Sequence, residues 1–96
     1  AFGNKAIYLL DEPEAALSPT RQLSLMRIIK ELEHDAQFII ATHSPILLGY
    51  PNATIYSFDE DSIEPIRYED TIHYIVTRRF FDAKDKLLAE LFEDLE

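Results

Sequence analysis

Two short apolar runs, each cut off by a polar cluster, constrain this chain more than any other feature. Ala6-Ile7-Tyr8-Leu9-Leu10 stops at Asp11-Glu12-Pro13, and Phe38-Ile39-Ile40-Ala41 stops at Thr42-His43-Ser44-Pro45. Neither run alternates apolar with polar residues, which is the pattern of a strand covered on both faces in a parallel sheet. Pro13 bars the first run from continuing as a central strand. Between the runs, Ser18-Pro19 is a helix start: the serine accepts orphan N–H bonds and the proline suits the first helical position. Leu25, Met26, Ile29 and Leu32 form a helical stripe, widened by Leu23 and Ile28, and Arg27 to Glu31 is an i,i+4 pair on the wetter side. The helix is predicted from about Pro19 to Glu33 or His34. Strand, helix and strand in that order predict a right-handed parallel βαβ unit.

Further along, Ser44-Pro45 repeats the cap-then-proline device before a short helical turn, Ile46-Leu47-Leu48, closed by Gly49-Tyr50-Pro51-Asn52. Ala53 to Phe58 and Ser62 to Arg67 are predicted as a hairpin around the acidic turn Asp59-Glu60-Asp61. Helices are predicted at about Asp70 to Phe81 and, after a break near Asp82, at about Lys84 to Leu95.

Composition narrows the function classes. The 96 residues are 47% hydrophobic and 28% charged, ordinary for a globular domain. A net charge of −9 argues against broad, charge-driven binding of nucleic acid or membrane surface. With no cysteine, disulfides, thiolate metal sites and cysteine nucleophiles are excluded. No apolar run reaches membrane-spanning length and no signal-peptide pattern opens the chain, so a cytoplasmic location is expected. The start is abrupt. Ala1-Phe2-Gly3-Asn4-Lys5 leads straight into a buried-type strand, as expected of a segment of a longer protein.

The chemistry-bearing residues gather at the ends of the two strands. In parallel α/β sheets, ligands sit where side chains emerge from the carboxyl ends. Asp11 stands at such an end, and its carboxylate suits Mg²⁺, a hard cation that keeps several waters. Glu12 beside it suits the polarising of a water that attacks a phosphoryl group. His43 follows the second strand and should lie near both acids, where an imidazole can donate to a phosphate oxygen or orient a water. Each residue alone reads equally as a polar strand end; the conjunction is what points to phosphate chemistry. The remaining candidates have plainer readings. Glu14 reads as a solvated turn residue, and His34 as a helix-end cation favoured by the dipole. Asp59-Glu60-Asp61 lacks the spacing and glycine of a calcium loop. Arg78-Arg79 reads as salt-bridged to nearby acids.

With these residues in view, Ile7-Tyr8-Leu9-Leu10-Asp11-Glu12-Pro13 resembles the Walker B strand of ATP-binding-cassette-type ATPases. Ala16-Leu17-Ser18 resembles the D-loop position, and Ile39-Ile40-Ala41-Thr42-His43-Ser44 resembles the switch-histidine segment. The wording of both segments looks like the soluble AAA/ABC-type ATPases of bacteria more than transporter subunits, whose D-loop usually ends in Asp where this chain has Ser18. The resemblance implies an α/β, P-loop NTPase-type three-layer sandwich. Residues 1–96 would be its C-terminal portion, comprising a βαβ unit, a hairpin and C-terminal helices.

The roles implied are carried residue by residue. Asp11 would hold Mg²⁺, directly or through water, Glu12 would be the general base or water-polarising residue, and His43 would sense the γ-phosphate of ATP. Ser18 would reach a second subunit across the nucleotide, which implies a homodimer of the full-length protein. The departures are equally plain. No Gly-x-x-x-x-Gly-Lys-[Ser/Thr] loop is present, the only glycines being Gly3 and Gly49, and the signature segment is missing as well. Both are expected upstream of Ala1, so this segment alone is not expected to turn over ATP. The function expected is ATP binding and Mg²⁺-dependent hydrolysis in the complete protein. The rivals are a nucleotide-gated dimerisation module with little hydrolysis, and a structural domain whose strand-end residues are merely polar. Relatives of this kind work on nucleic acid, a partner class the resemblance leaves open, although no nucleic-acid-reading residues stand here.

Overall fold

In the computed structural model, which describes residues 6–95, the two apolar runs pair side by side as parallel strands. The lead-in at residues 1–5 lies outside the described residues. Strand β1 spans Ala6–Asp11 and β2 spans Ala36–Ala41, in register from Ala6 opposite Ala36 to Asp11 opposite Ala41. The strand β2 begins two residues before the predicted Phe38, because parallel pairing with β1 fixes its length. Helix α1, Pro19–Leu32, is the crossover. Its start is as expected: Ser18 is the N-cap, its side chain accepts from the Arg21 N–H at 3.2 Å, and proline occupies the first turn. The Arg27–Glu31 pair forms at 3.3 Å, with both side chains largely exposed.

The chain divides into two units, Ala1–Ala53 and Thr54–Glu96. In the first, the buried apolar residues among those described are Ile29 of α1, Ala36 of β2 and Leu47 of a 3-10 turn at Leu47–Gly49. The helical stripe is narrower than its sequence pattern: Leu25 and Met26 are half-buried, while Leu23, Ile28 and Leu32 are exposed. The sheet is also covered unequally. Register places Tyr8 opposite Phe38, with rings stacked 5.0 Å apart, and Leu10 opposite Ile40 on the same face. On the opposite face Ile7, Leu9 and Ile39 are 62%, 73% and 52% exposed. The apolar runs predicted two covered faces; among the described residues one of them is open.

A polar contact ties the end of α1 to the close of this unit. The Tyr50 hydroxyl donates to Glu33 Oε2 at 2.8 Å, and Lys30 pairs with the other Glu33 oxygen at 2.7 Å. Desolvation, and then the Glu33 carboxylate beside it, push the Tyr50 phenol up to about 12. A phenol whose ionisation is raised by folding stabilises the fold fully below its ordinary value of about 10, and that contribution is lost as pH rises through the folded value. Spectrophotometric titration should show a tyrosinate step near pH 12 that disappears in Tyr50→Phe. A Tyr50 step at the ordinary value would mean that the contact to Glu33 does not form.

The second unit holds the predicted hairpin, trimmed at its ends. Strands β3 (Ile55–Phe58) and β4 (Ile63–Ile66) pair antiparallel around the exposed Asp59-Glu60-Asp61 turn, closed by Asp59 N–H to Ser62 O at 2.8 Å. Pro65 is tolerated because a two-stranded ribbon leaves alternate N–H groups facing outward. A 3-10 turn at Tyr68–Asp70 precedes helix α2, Ile72–Asp82, so the helix starts two residues later than predicted. The buried Thr71 decides this start, since its hydroxyl caps Tyr74 N–H at 3.2 Å and donates to Tyr68 O at 2.7 Å. Helix α3, Lys84–Leu91, ends about a turn short of the predicted Leu95. Arg78 and Arg79 are paired as expected, with Asp82 at 2.9 Å and Glu90 at 3.4 Å. No helix of the described residues is long and apolar enough to cross a membrane.

Candidate functional site

The parallel register brings both strand ends to one edge of the sheet. Asp11 is the last residue of β1 and lies opposite Ala41, the last of β2. Glu12 N–H donates to Ala41 O at 2.7 Å, carrying the ladder one residue further before the chain turns away. There Glu12 takes φ 47°, ψ 55°, a left-handed backbone. For a residue with a Cβ that conformation costs roughly 1–3 kcal/mol and persists only when its surroundings over-determine it. Here the ladder bond on one side and Pro13, which opens a 3-10 turn at Pro13–Ala16, fix it on the other. The sequence carries no sign of this strain, because glutamate has no preference for it.

The Glu12 carboxylate and the His43 imidazole meet at this edge, Oε1 to Nε2 at 3.5 Å, with both side chains mainly in solvent. The expected proximity of His43 to Glu12 is therefore present. Asp11 is exposed on the same edge. Among the described residues no group of three or more His, Asp or Glu is assembled as a metal cage. A hard cation held mainly by waters needs only one or two protein carboxylates, so Asp11 fits Mg²⁺ as a single ligand. Ser18 lies on the loop between the 3-10 turn and α1, exposed, its hydroxyl engaged in capping.

Glu14 is where the structure corrects the sequence reading. It is not a solvated turn residue: Thr42 Oγ1 donates to Glu14 Oε1 at 2.7 Å, and His43 N–H donates to Oε2 at 2.8 Å. Desolvation alone would raise its pKa; the bonds from the Thr42 hydroxyl, the His43 N–H and its own N–H outweigh that and hold the carboxyl below the usual range. A second bridge runs alongside. The buried Gln22 donates through Nε2 to Leu17 O at 3.2 Å and accepts from the buried Ser44 hydroxyl, which in turn accepts from Ile46 and Leu47 N–H at 3.1 and 3.2 Å. Nothing in the spacing of Glu14 or Gln22 reveals these bonds. The three that join Glu14 and Gln22 to residues 42–44 span 22 to 29 residues of sequence and exist only once β1 and β2 are neighbours.

Parallel strands joined through a crossover helix, with acids and a histidine at their carboxyl ends, are compatible with a P-loop NTPase-type segment. The family model described as "AAA domain, putative AbiEii toxin, Type IV TA system" matches residues 2–49, half of the chain, and the chain belongs to that family. No curated protein matches the chain. At the level of the family, membership carries nucleotide binding and hydrolysis, and ATPases of the AAA kind use ATP with Mg²⁺.

Proposed function

We propose that this chain forms the catalytic edge of an ABC-type ATPase head, the C-terminal part of a three-layer α/β sandwich. The phosphate-cradling and signature segments would come from elsewhere in the full-length protein. One observation carries the reading. Two strand ends in register bring the Asp11-Glu12 pair and His43 to one edge, with Glu12 and His43 in contact. Mg²⁺ would supply charge neutralisation on the phosphates of ATP. Asp11, the Walker B aspartate in this reading, holds the cation through its carboxylate. Glu12 accepts a proton from the attacking water, a task that suits an exposed carboxylate beside an imidazole. The His43 imidazole donates toward a phosphate oxygen. Ser18, on the exposed loop before α1, faces the partner in a head-to-tail homodimer that encloses two nucleotides.

Single-turnover hydrolysis of Mg–ATP by the full-length protein tests this reading. Release of phosphate within a single enzyme turnover is the expected result. Nucleotide-driven dimerisation without release would instead establish a gated binding module, and neither event would leave Asp11, Glu12 and His43 as polar strand ends.

A further inference from the structure

Four hydrogen bonds hold the segment that carries His43 from both sides. Ahead of the imidazole-bearing residue, the two Glu14 oxygens take the Thr42 hydroxyl and the His43 N–H separately. Behind it, Gln22 joins the Ser44 hydroxyl to the Leu17 carbonyl. All the anchoring groups come from the stretch that follows β1, so the histidine segment is fastened to the chain that carries Glu12 and not only to its own strand. The Thr42 hydroxyl completes the arrangement by accepting from Ser44 N–H at 3.0 Å. The His43 side chain is 74% exposed with Nε2 3.5 Å from Glu12 Oε1, so the placement of its backbone decides whether the imidazole is within reach of Glu12.

Resting on the ATPase reading above, we infer that Glu14 is a positioning residue that sets His43 against Glu12 and the nucleotide. The chemistry explains why a glutamate is needed. Its ionised carboxylate is acceptor-only and offers one oxygen to each of two donors. Glutamine keeps the length but replaces one acceptor with an NH₂ group, which would face a hydroxyl or an N–H. Aspartate is one methylene too short to reach both donors. Glu14 touches neither the reacting atoms nor the metal in this role. It acts through the backbone of His43, and its loss should slow turnover more than it weakens nucleotide binding.

The test uses the full-length protein with Mg–ATP, and amide hydrogen exchange at His43 without nucleotide. Glu14→Gln should lower kcat by about 10- to 100-fold, the range found when a group that orients a reacting residue is removed. It should lower kcat more than it raises KM for ATP, since the imidazole contact with the phosphate is the one binding contact it disturbs, and should speed exchange of the His43 amide. Thr42→Ser, which keeps the hydroxyl donor, should match the parent protein; Thr42→Val should repeat the Glu14→Gln loss. Unchanged kcat and unchanged His43 exchange in Glu14→Gln would overturn the inference, as would equal losses in Thr42→Ser and Thr42→Val. Should Glu14→Gln fail to fold, the serine and valine pair decides alone. Failure of the ATPase reading is distinguishable, because the parent would then release no phosphate, or Glu12→Gln would release it as fast as the parent, while the His43 exchange still reports the clamp.

Discussion

Full-length protein carrying Glu12→Gln is expected to bind ATP normally and to lose at least about 10²-fold in single-turnover hydrolysis, the lower range of general acid–base effects. Glutamine preserves the volume and an oxygen that can still face His43 Nε2, which lies 3.5 Å from Glu12 Oε1. What it removes is the basic lone pair that, on the proposed reading, would take the proton of the attacking water. The left-handed backbone at Glu12 is unaffected by the change, since neither side chain prefers φ 47° over the other. Binding and chemistry therefore separate in this variant. Equilibrium binding of a labelled nucleotide and phosphate release measured on the same preparation check both halves. Turnover close to that of the parent would remove Glu12 from the role of base.

The second large effect concerns the 96-residue chain expressed alone, which is expected to self-associate at micromolar concentration. Ile7, Leu9 and Ile39 form an exposed apolar face on the β1–β2 sheet, and among the described residues the outer edges of that sheet pair with no further strand. Burying an aliphatic side chain of this size gains roughly 1.5–3 kcal/mol, and unpaired strand edges template pairing with another chain. A net charge of −9 opposes association, but screening at physiological salt confines that repulsion to about 8 Å. Sedimentation velocity should show species above the monomer. Leu9→Lys with Ile39→Lys should return the chain to monomer by placing two charges on the open face. A monomeric parent chain with cooperative unfolding and no binding of an apolar dye would show instead that the open face is tolerated in water.

The local elements were legible from residues alone because local physics writes them. The Ser18-Pro19 cap fixes the start of α1, and the unbroken runs ahead of Asp11 and Thr42 fix the ends of β1 and β2. Once the crossover is drawn, the meeting of Glu12 with His43 follows from strand-end geometry, so the core of the candidate site was legible too. The tertiary structure decided the rest. Glu14 looked like one more acid in a polar turn, yet it holds Thr42 and His43. Gln22 is a polar residue outside the apolar stripe named for α1, yet it is buried against Ser44. The strain at Glu12 and the open face at Ile7, Leu9 and Ile39 were equally silent in the sequence. Periodicity and capping report on residues within a turn or two of each other. A hydrogen bond across 28 residues, or the coverage of a face by something distant in sequence, depends on which elements become neighbours in space.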